Sequence, residues 1–131
     1  MLIKLDTTSA TPIYVQLRNQ IVMGIGRGDL KIGEGLPTVR QMAEDVGVNT
    51  MTVNKTYTIL KQEGYIEIDR RHGAKISPQV DLSGQFREKV ENELTLLISE
   101  SSLKGLSHDD FMELCTTIYN KVNLSYVGGT V

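Results

Sequence analysis

The sequence predicts a mainly α fold with one small β-element. Three observations lead there. Between residues 38 and 63, two apolar stripes of helical period are separated by a turn that contains Gly47. Directly after them, apolar strand residues flank a basic tip that contains Gly73. From residue 83 onward, two longer amphipathic stripes follow. The pattern is a winged helix-turn-helix with a small β-wing over residues 1–77, followed by a two-helix dimerisation tail over residues 78–131.

Val39, Met42, Ala43 and Val46 recur at helical spacing and predict a short helix over residues 38–46. The Thr38 hydroxyl can accept an orphan backbone N–H there, as an N-cap does. Gly47 falls where a left-handed C-terminal position favours glycine. Ala43, one turn earlier, is small enough to let a second helix approach. Asn49 offers the next N-cap. Val53, Tyr57 and Leu60 repeat at i, i+4 and i+7 and form the buried face of a helix over residues 49–63, which Gly64 ends. Two short helices joined by a three- or four-residue turn with glycine in it are a helix-turn-helix.

The outward face of the second helix carries Asn49, Thr50, Met51, Thr52, Asn54 and Lys55. A reader of the DNA major groove needs such groups near its N-terminus: short hydrogen-bonding side chains, an apolar group for thymine methyls, and a cation. Asn54 can pair with an adenine edge, and Thr50 and Thr52 can serve bases or phosphates. On one helix alone, an ordinary solvated face is the commoner explanation. The neighbours tip the balance. Tyr65, Ile66 and Ile68 lead into Arg70, Arg71, His72 and Gly73, then Lys75 and Ile76. A hairpin tip holding Arg70, Arg71, His72 and Lys75 can reach phosphates or a minor groove beside a recognition helix. A solubilising turn is the plain alternative, but the position directly after a helix-turn-helix favours a DNA-contacting wing.

Several short runs occur in fixed order: Pro-Ile-Tyr-Val-Gln at 12–16, Gly-Asp-Leu at 28–30, Gly-Glu-Gly-Leu-Pro-Thr-Val-Arg at 33–40, Gly-Val-Asn-Thr-Met-Thr-Val at 47–53, Tyr57, and Leu-Lys-Gln-Glu-Gly-Tyr-Ile at 60–66. With these runs, residues 12–76 resemble the winged-helix domain of GntR-type bacterial transcription regulators. The Val-Asn-x-x-Thr-Val form at 48–53 and the short tail are most similar to the YtrA-like subgroup. The resemblance implies a transcription regulator, expected to be a repressor, that binds a double-stranded DNA operator and controls a nearby transporter operon. It also implies that Arg40 contacts DNA together with Asn49, Thr50, Thr52 and Asn54, and with the wing tip near His72 and Gly73. Thr38 joins these candidates at the start of the first of the two helices. The chain departs from the pattern at Thr50 and Asn54, where many relatives carry arginine. It departs again at Arg71 and Lys75, which replace the first glycine and the aromatic residue of the usual wing.

At 131 residues the chain is one compact domain or a small domain with an appendage. It has no apolar run of about eighteen residues, so no membrane helix is expected. The first residues lack a signal peptide's apolar core and cleavage site, which predicts a cytoplasmic protein. A single cysteine excludes an intrachain disulfide framework. The net charge of −2 is unusual for a DNA binder. Residues 12–77 hold nine Lys/Arg against seven Asp/Glu, a balance of +2; residues 78–131 hold four against eight, a balance of −4. Any electrostatic footprint therefore belongs to the first part. It is modest, which predicts weak non-specific binding and reliance on dimerisation for affinity.

In chain order, residues 2–5 read as a short strand forming an N-terminal arm. Thr11 is the expected cap of the first helix, with Pro12 in its first position. Ile13, Leu17, Ile21 and Ile25 form the stripe that packs on the helix-turn-helix, and Tyr14 and Gln16 read as structural. Residues 28–35 read as a turn with an extended segment that completes the wing sheet. Residues 77–81 read as a linker. Asp81 or Ser83 is the expected cap of a helix whose stripe is Phe86, Val90, Leu94, Leu97 and Ile98. Gly105 breaks it. Ser107 caps a last helix with Phe111, Leu114, Cys115, Ile118, Tyr119 and Val122 on one face. Residues 128–131 read as disordered.

Two helices of this size cannot enclose a separate core. Facing a second copy would bury both stripes, so the expected partner is the chain itself, as a two-fold homodimer. Phe86, Val90, Leu94, Leu97, Phe111, Leu114, Ile118 and Tyr119 are its candidate interface. The alternative is a monomer whose stripes pack on its own winged helix. A small-molecule effector held between tail and winged helix is a further expected partner, with no residue assigned to it. His72, His108 and Cys115 lack metal-ligand spacing, and no phosphate loop or nucleophile motif occurs. No cofactor, metal, membrane partner or catalytic activity is expected. Two rival readings are a winged helix used for protein–protein docking, which the acidic overall charge favours, and a redox sensor acting through Cys115.

Overall fold

The computed structural model describes residues 3–78 and 83–123. These form α1 (Ile13–Gly26), α2 (Val39–Val46), α3 (Thr50–Gln62), β1 (Ile66–Asp69), β2 (Gly73–Ile76), α4 (Gln85–Leu103) and α5 (His108–Asn123). They divide into two compact units, one with α1 to β2 and the other with α4 and α5.

In the first unit, α1, α2 and α3 pack with the hairpin around one core. Leu17, Ile21 and Ile25 from α1 meet Met42 and Ala43 from α2 and Val53, Tyr57 and Leu60 from α3. Ile66, Ala74 and Ile76 close it from the hairpin. Side chains such as Leu17, Leu60 and Ile76, at 0–1% exposure, each stabilise the fold by about 1.5–3 kcal/mol relative to an exposed position. Ile13 is only half-buried, so the stripe of α1 starts one turn later than its spacing suggests. Thr56, wholly buried on α3, was not legible as core. Its hydroxyl donates to the Tyr14 carbonyl at 3.0 Å and ties α3 to the start of α1. Arg18 clamps the far end, donating to both Glu63 carboxylate oxygens at 2.9 and 3.2 Å.

Four local expectations need correction. The N-cap of α1 is Pro12 rather than Thr11, whose carbonyl instead accepts from Gln16 Nε2 at 2.8 Å. The arm is no strand among the described residues. Ile3 and Leu5 pack on the core, and side-chain amides stand in for a β-partner. Gln20 Oε1 accepts from Lys4 N–H and Gln20 Nε2 donates to the Lys4 carbonyl; Gln16 does the same for Asp6 at 2.8 and 2.9 Å. The segment before α2 adds only a bridge, Gly35 to Lys75, to a two-stranded sheet. Gly33, at φ +86°, turns the chain away before a full strand can form, although the Gly33 and Leu36 N–H groups still reach the Ile76 and Ala74 carbonyls at 2.8 Å. The N-cap of α4 is Gly84, while the Ser83 hydroxyl accepts from the Gln85 N–H at 3.2 Å. The other expected cap, Asp81, lies outside the described residues, as do most of the linker and residues 128–131.

In the second unit, Ser107 caps α5 as expected, its hydroxyl accepting from Asp110 N–H at 3.1 Å. α4 carries Arg87–Glu91 and Lys89–Glu93 pairs at i, i+4, offset by two residues and so on different sides of the helix. Its apolar side and that of α5 stay open. Val90, Leu94, Leu97, Leu114 and Ile118 are exposed, and no described residue of this unit is buried.

Candidate nucleic-acid interface

The helix-turn-helix is held by local chemistry at both caps. The Thr38 hydroxyl accepts from the Gln41 N–H at 3.1 Å, and Asn49 Oδ1 accepts from the Thr52 N–H at 2.8 Å. Between the helices, Gly47 takes a left-handed φ of +76° and its N–H returns to the Ala43 carbonyl at 3.0 Å. A Cβ would strain this turn. The Tyr57 hydroxyl donates to the Pro37 carbonyl at 2.7 Å, which fixes the approach to α2 from inside α3. Two of the candidate contact residues thus serve as caps. Asn49 spends its oxygen on the helix and keeps its amide N–H groups for another partner.

The first turns of α3 present Thr50, Met51, Asn54 and Lys55 to solvent, with Thr52 half-buried. Met51 is 80% exposed, the opposite of a core methionine. No acidic residue lies in the first turn of α3. The available chemistry is that of a groove reader: hydroxyl and amide groups for base edges, a thioether for methyl groups, and one cation. Arg40, exposed on α2, makes no ion pair among the described residues. A shallow cleft of about 370 Å³ joins Asn49, Met51, Thr52 and Lys55 to Ile13 and Tyr14 of α1. Lys55 Nζ lies 3.9 Å from the centre of the Tyr14 ring. Tyr14 had read as purely structural. Its neighbour across the cleft is distant in sequence, so only the packing of α1 on α3 brings the pair together.

β1 and β2 pair antiparallel, Ile66 with Ile76, Glu67 with Lys75, Ile68 with Ala74 and Asp69 with Gly73. The tip therefore consists of Arg70, Arg71 and His72, all exposed, and Lys75 belongs to the strand rather than the tip. Asp69 organises the turn. Its carboxylate bonds His72 Nδ1 at 2.9 Å and accepts from the Arg71 N–H at 2.8 Å. These bonds, His72 first, hold the Asp69 carboxyl below its usual pKa. Gly73, at φ +73°, closes the turn.

Asn49, Met51, Thr52 and Lys55 gather around one cleft, Arg70 to Gly73 on one tip, and the candidate dimer residues lie in the second unit; Thr38 and Arg40 at the start of α2, Thr50 and Asn54 on α3 and Lys75 on β2 stand outside these groups. Among the described residues, no His, Cys, Asp and Glu cluster could hold a metal ion. No helix among them is long and apolar enough to cross a membrane.

A helix-turn-helix with a polar, solvent-facing second helix and a basic hairpin defines a winged-helix regulator of transcription. A family model described as bacterial regulatory proteins, gntR family, matches residues 13–76. The transcriptional repressor YtrA of Bacillus subtilis is 35% identical over 108 residues, which span 82% of this chain and 78% of that protein. Two solved structures share the fold. A structure titled YtrA from Sulfolobus acidocaldarius, a GntR-family transcription factor, is 37% identical with a TM-score of 0.61, covering 72% of this chain and 99% of that one. A structure titled transcriptional antiterminator from Listeria monocytogenes is 25% identical with a TM-score of 0.83, covering 93% and 92%. The chain belongs to the GntR family of bacterial regulators and is a non-enzymatic, DNA-binding transcription regulator with relatives named YtrA.

Proposed function

We propose that this regulator is a cytoplasmic homodimeric repressor that reads a two-fold operator, with residues 1–77 binding DNA and residues 78–131 pairing two copies. The observation that carries the reading is the solvent-facing start of α3, where Thr50, Met51, Asn54 and Lys55 stand exposed with no carboxylate in the first turn. In this reading α3 enters the major groove, and Asn49, Thr50, Thr52 and Asn54 meet base edges. Arg40, Lys55, Arg70, Arg71 and Lys75 meet phosphates or groove edges. Two copies place their recognition helices about 34 Å apart in successive major grooves. The open apolar faces of α4 and α5 support the pairing, because an unpartnered apolar surface of this extent is costly in water. The Bacillus relative's name as a repressor supports the sign of regulation. The transporter operon and a small-molecule effector belong to the same reading and rest on the family resemblance.

The test is binding to the DNA upstream of its own gene and to a scrambled duplex over a range of salt, with mass read by light scattering. Preference for the upstream DNA that survives added salt, by a dimer, is the expected result. Equal and salt-labile binding to both duplexes, or a monomer, would sink the proposal. Replacing Arg40 and Asn54 together by alanine is expected to abolish that preference while the thermal unfolding curve stays in place.

A further inference from the structure

The cleft between α1 and α3 holds a cation that is positioned but not neutralised. Lys55 Nζ rests on the Tyr14 ring at 3.9 Å, well inside the distance at which an ammonium is attracted to an aromatic face. Lys55 makes no ion pair among the described residues, and no carboxylate lines the cleft. The platform beneath it is fixed. Thr56, the residue after Lys55, donates from its buried hydroxyl to the Tyr14 carbonyl at 3.0 Å, so α1 and α3 are joined beside the cation. A lysine on a flexible stem normally loses rotamer freedom when it grips an anion. Here the ring has already restricted it.

We propose that Tyr14 and Lys55 together form a seat for one phosphate of the DNA backbone. Tyr14 acts as a positioning residue that holds the ammonium over its ring. The seat lies at the edge of the recognition helix, with Asn49 and Thr52 lining the same cleft. A phosphate held there sets how deeply and at what angle α3 enters the groove, since phosphate contacts fix register without reading sequence. The proposal rests on the reading that α3 faces DNA.

The test compares wild type with Lys55→Gln, Tyr14→Phe, Tyr14→Leu and the Tyr14→Leu/Lys55→Gln pair, on upstream and scrambled duplexes over a salt series. Lys55→Gln is expected to lower the slope of log affinity against log salt by about one and to weaken both duplexes alike. Tyr14→Leu is expected to weaken binding by about two- to fivefold when Lys55 is present and to add nothing when it is absent. Tyr14→Phe, which keeps the ring, recovers most of that loss. A second readout uses the unmodified protein, where the Tyr14 ring current shifts the Lys55 Hε protons upfield and added duplex moves them again. Additive losses in the double variant, an unchanged salt slope, or unmoved Lys55 resonances at saturating DNA would overturn the seat while leaving the regulator reading standing. Failure of the wild type to bind either duplex would overturn both.

Discussion

Tyr57 shows how one side chain serves both the core and the recognition helix. It is 3% exposed, and its hydroxyl donates to the Pro37 carbonyl. Burial pushes its phenol well above the ordinary value of 10.0. The folded-state pKa is raised, so its contribution is full below the unfolded value and is lost as pH rises past about 10. Tyr57→Phe is expected to cost about 1 kcal/mol near neutral pH. Urea melts over a pH series should show the wild type losing stability more steeply than this variant above pH 10. Asn49 separates two roles that overlap in sequence. Asn49→Ala removes the cap and is expected to lower stability by about 1 kcal/mol. Asn49→Asp keeps a capping oxygen and places a charge beside the DNA. It is expected to leave the melting curve nearly unchanged and to weaken binding to any duplex.

Among the elements, the helices were legible because their evidence is local. The stripes of α2 and α3, the caps Thr38 and Asn49, and Gly47 all lie within a few residues of what they determine. The wing was legible for the same reason, although Lys75 was placed on the tip and belongs to β2. What could not be read is the chemistry that closes across the chain. Nothing near Gln16 or Gln20 announces that their amides bond the backbone at Asp6 and Lys4. Nothing near Tyr14 announces Lys55. The arm gives a clean test. Replacing Gln16 and Gln20 by alanine is expected to speed hydrogen exchange at the Lys4 and Asp6 amides by more than about tenfold, since each loses its only bonded acceptor among the described residues. Unchanged protection would show that packing of Ile3 and Leu5 alone holds the arm.

For the molecule as a whole, the charge balance differs between the two parts of the chain, +2 over residues 12–77 and −4 over residues 78–131. A lysine placed at Leu94, on the open face of α4, is expected to give a monomer by light scattering with the winged helix still folded. Its operator affinity should fall by about a hundredfold or more, because one helix in one groove loses the gain from linked binding. A dimer that survives this change would mean that pairing uses another surface. The tail has a further consequence. No described side chain of α4 or α5 is buried, so under the proposed pairing these helices gain their apolar contacts from the second copy. Their melting temperature should then rise with protein concentration. While most chains are single, the paired form grows as the square of the amount made. Under the proposed pairing, and with the operator far from saturated, halving the gene dose would cut operator occupancy by more than half, so that the response to abundance is steeper than proportional.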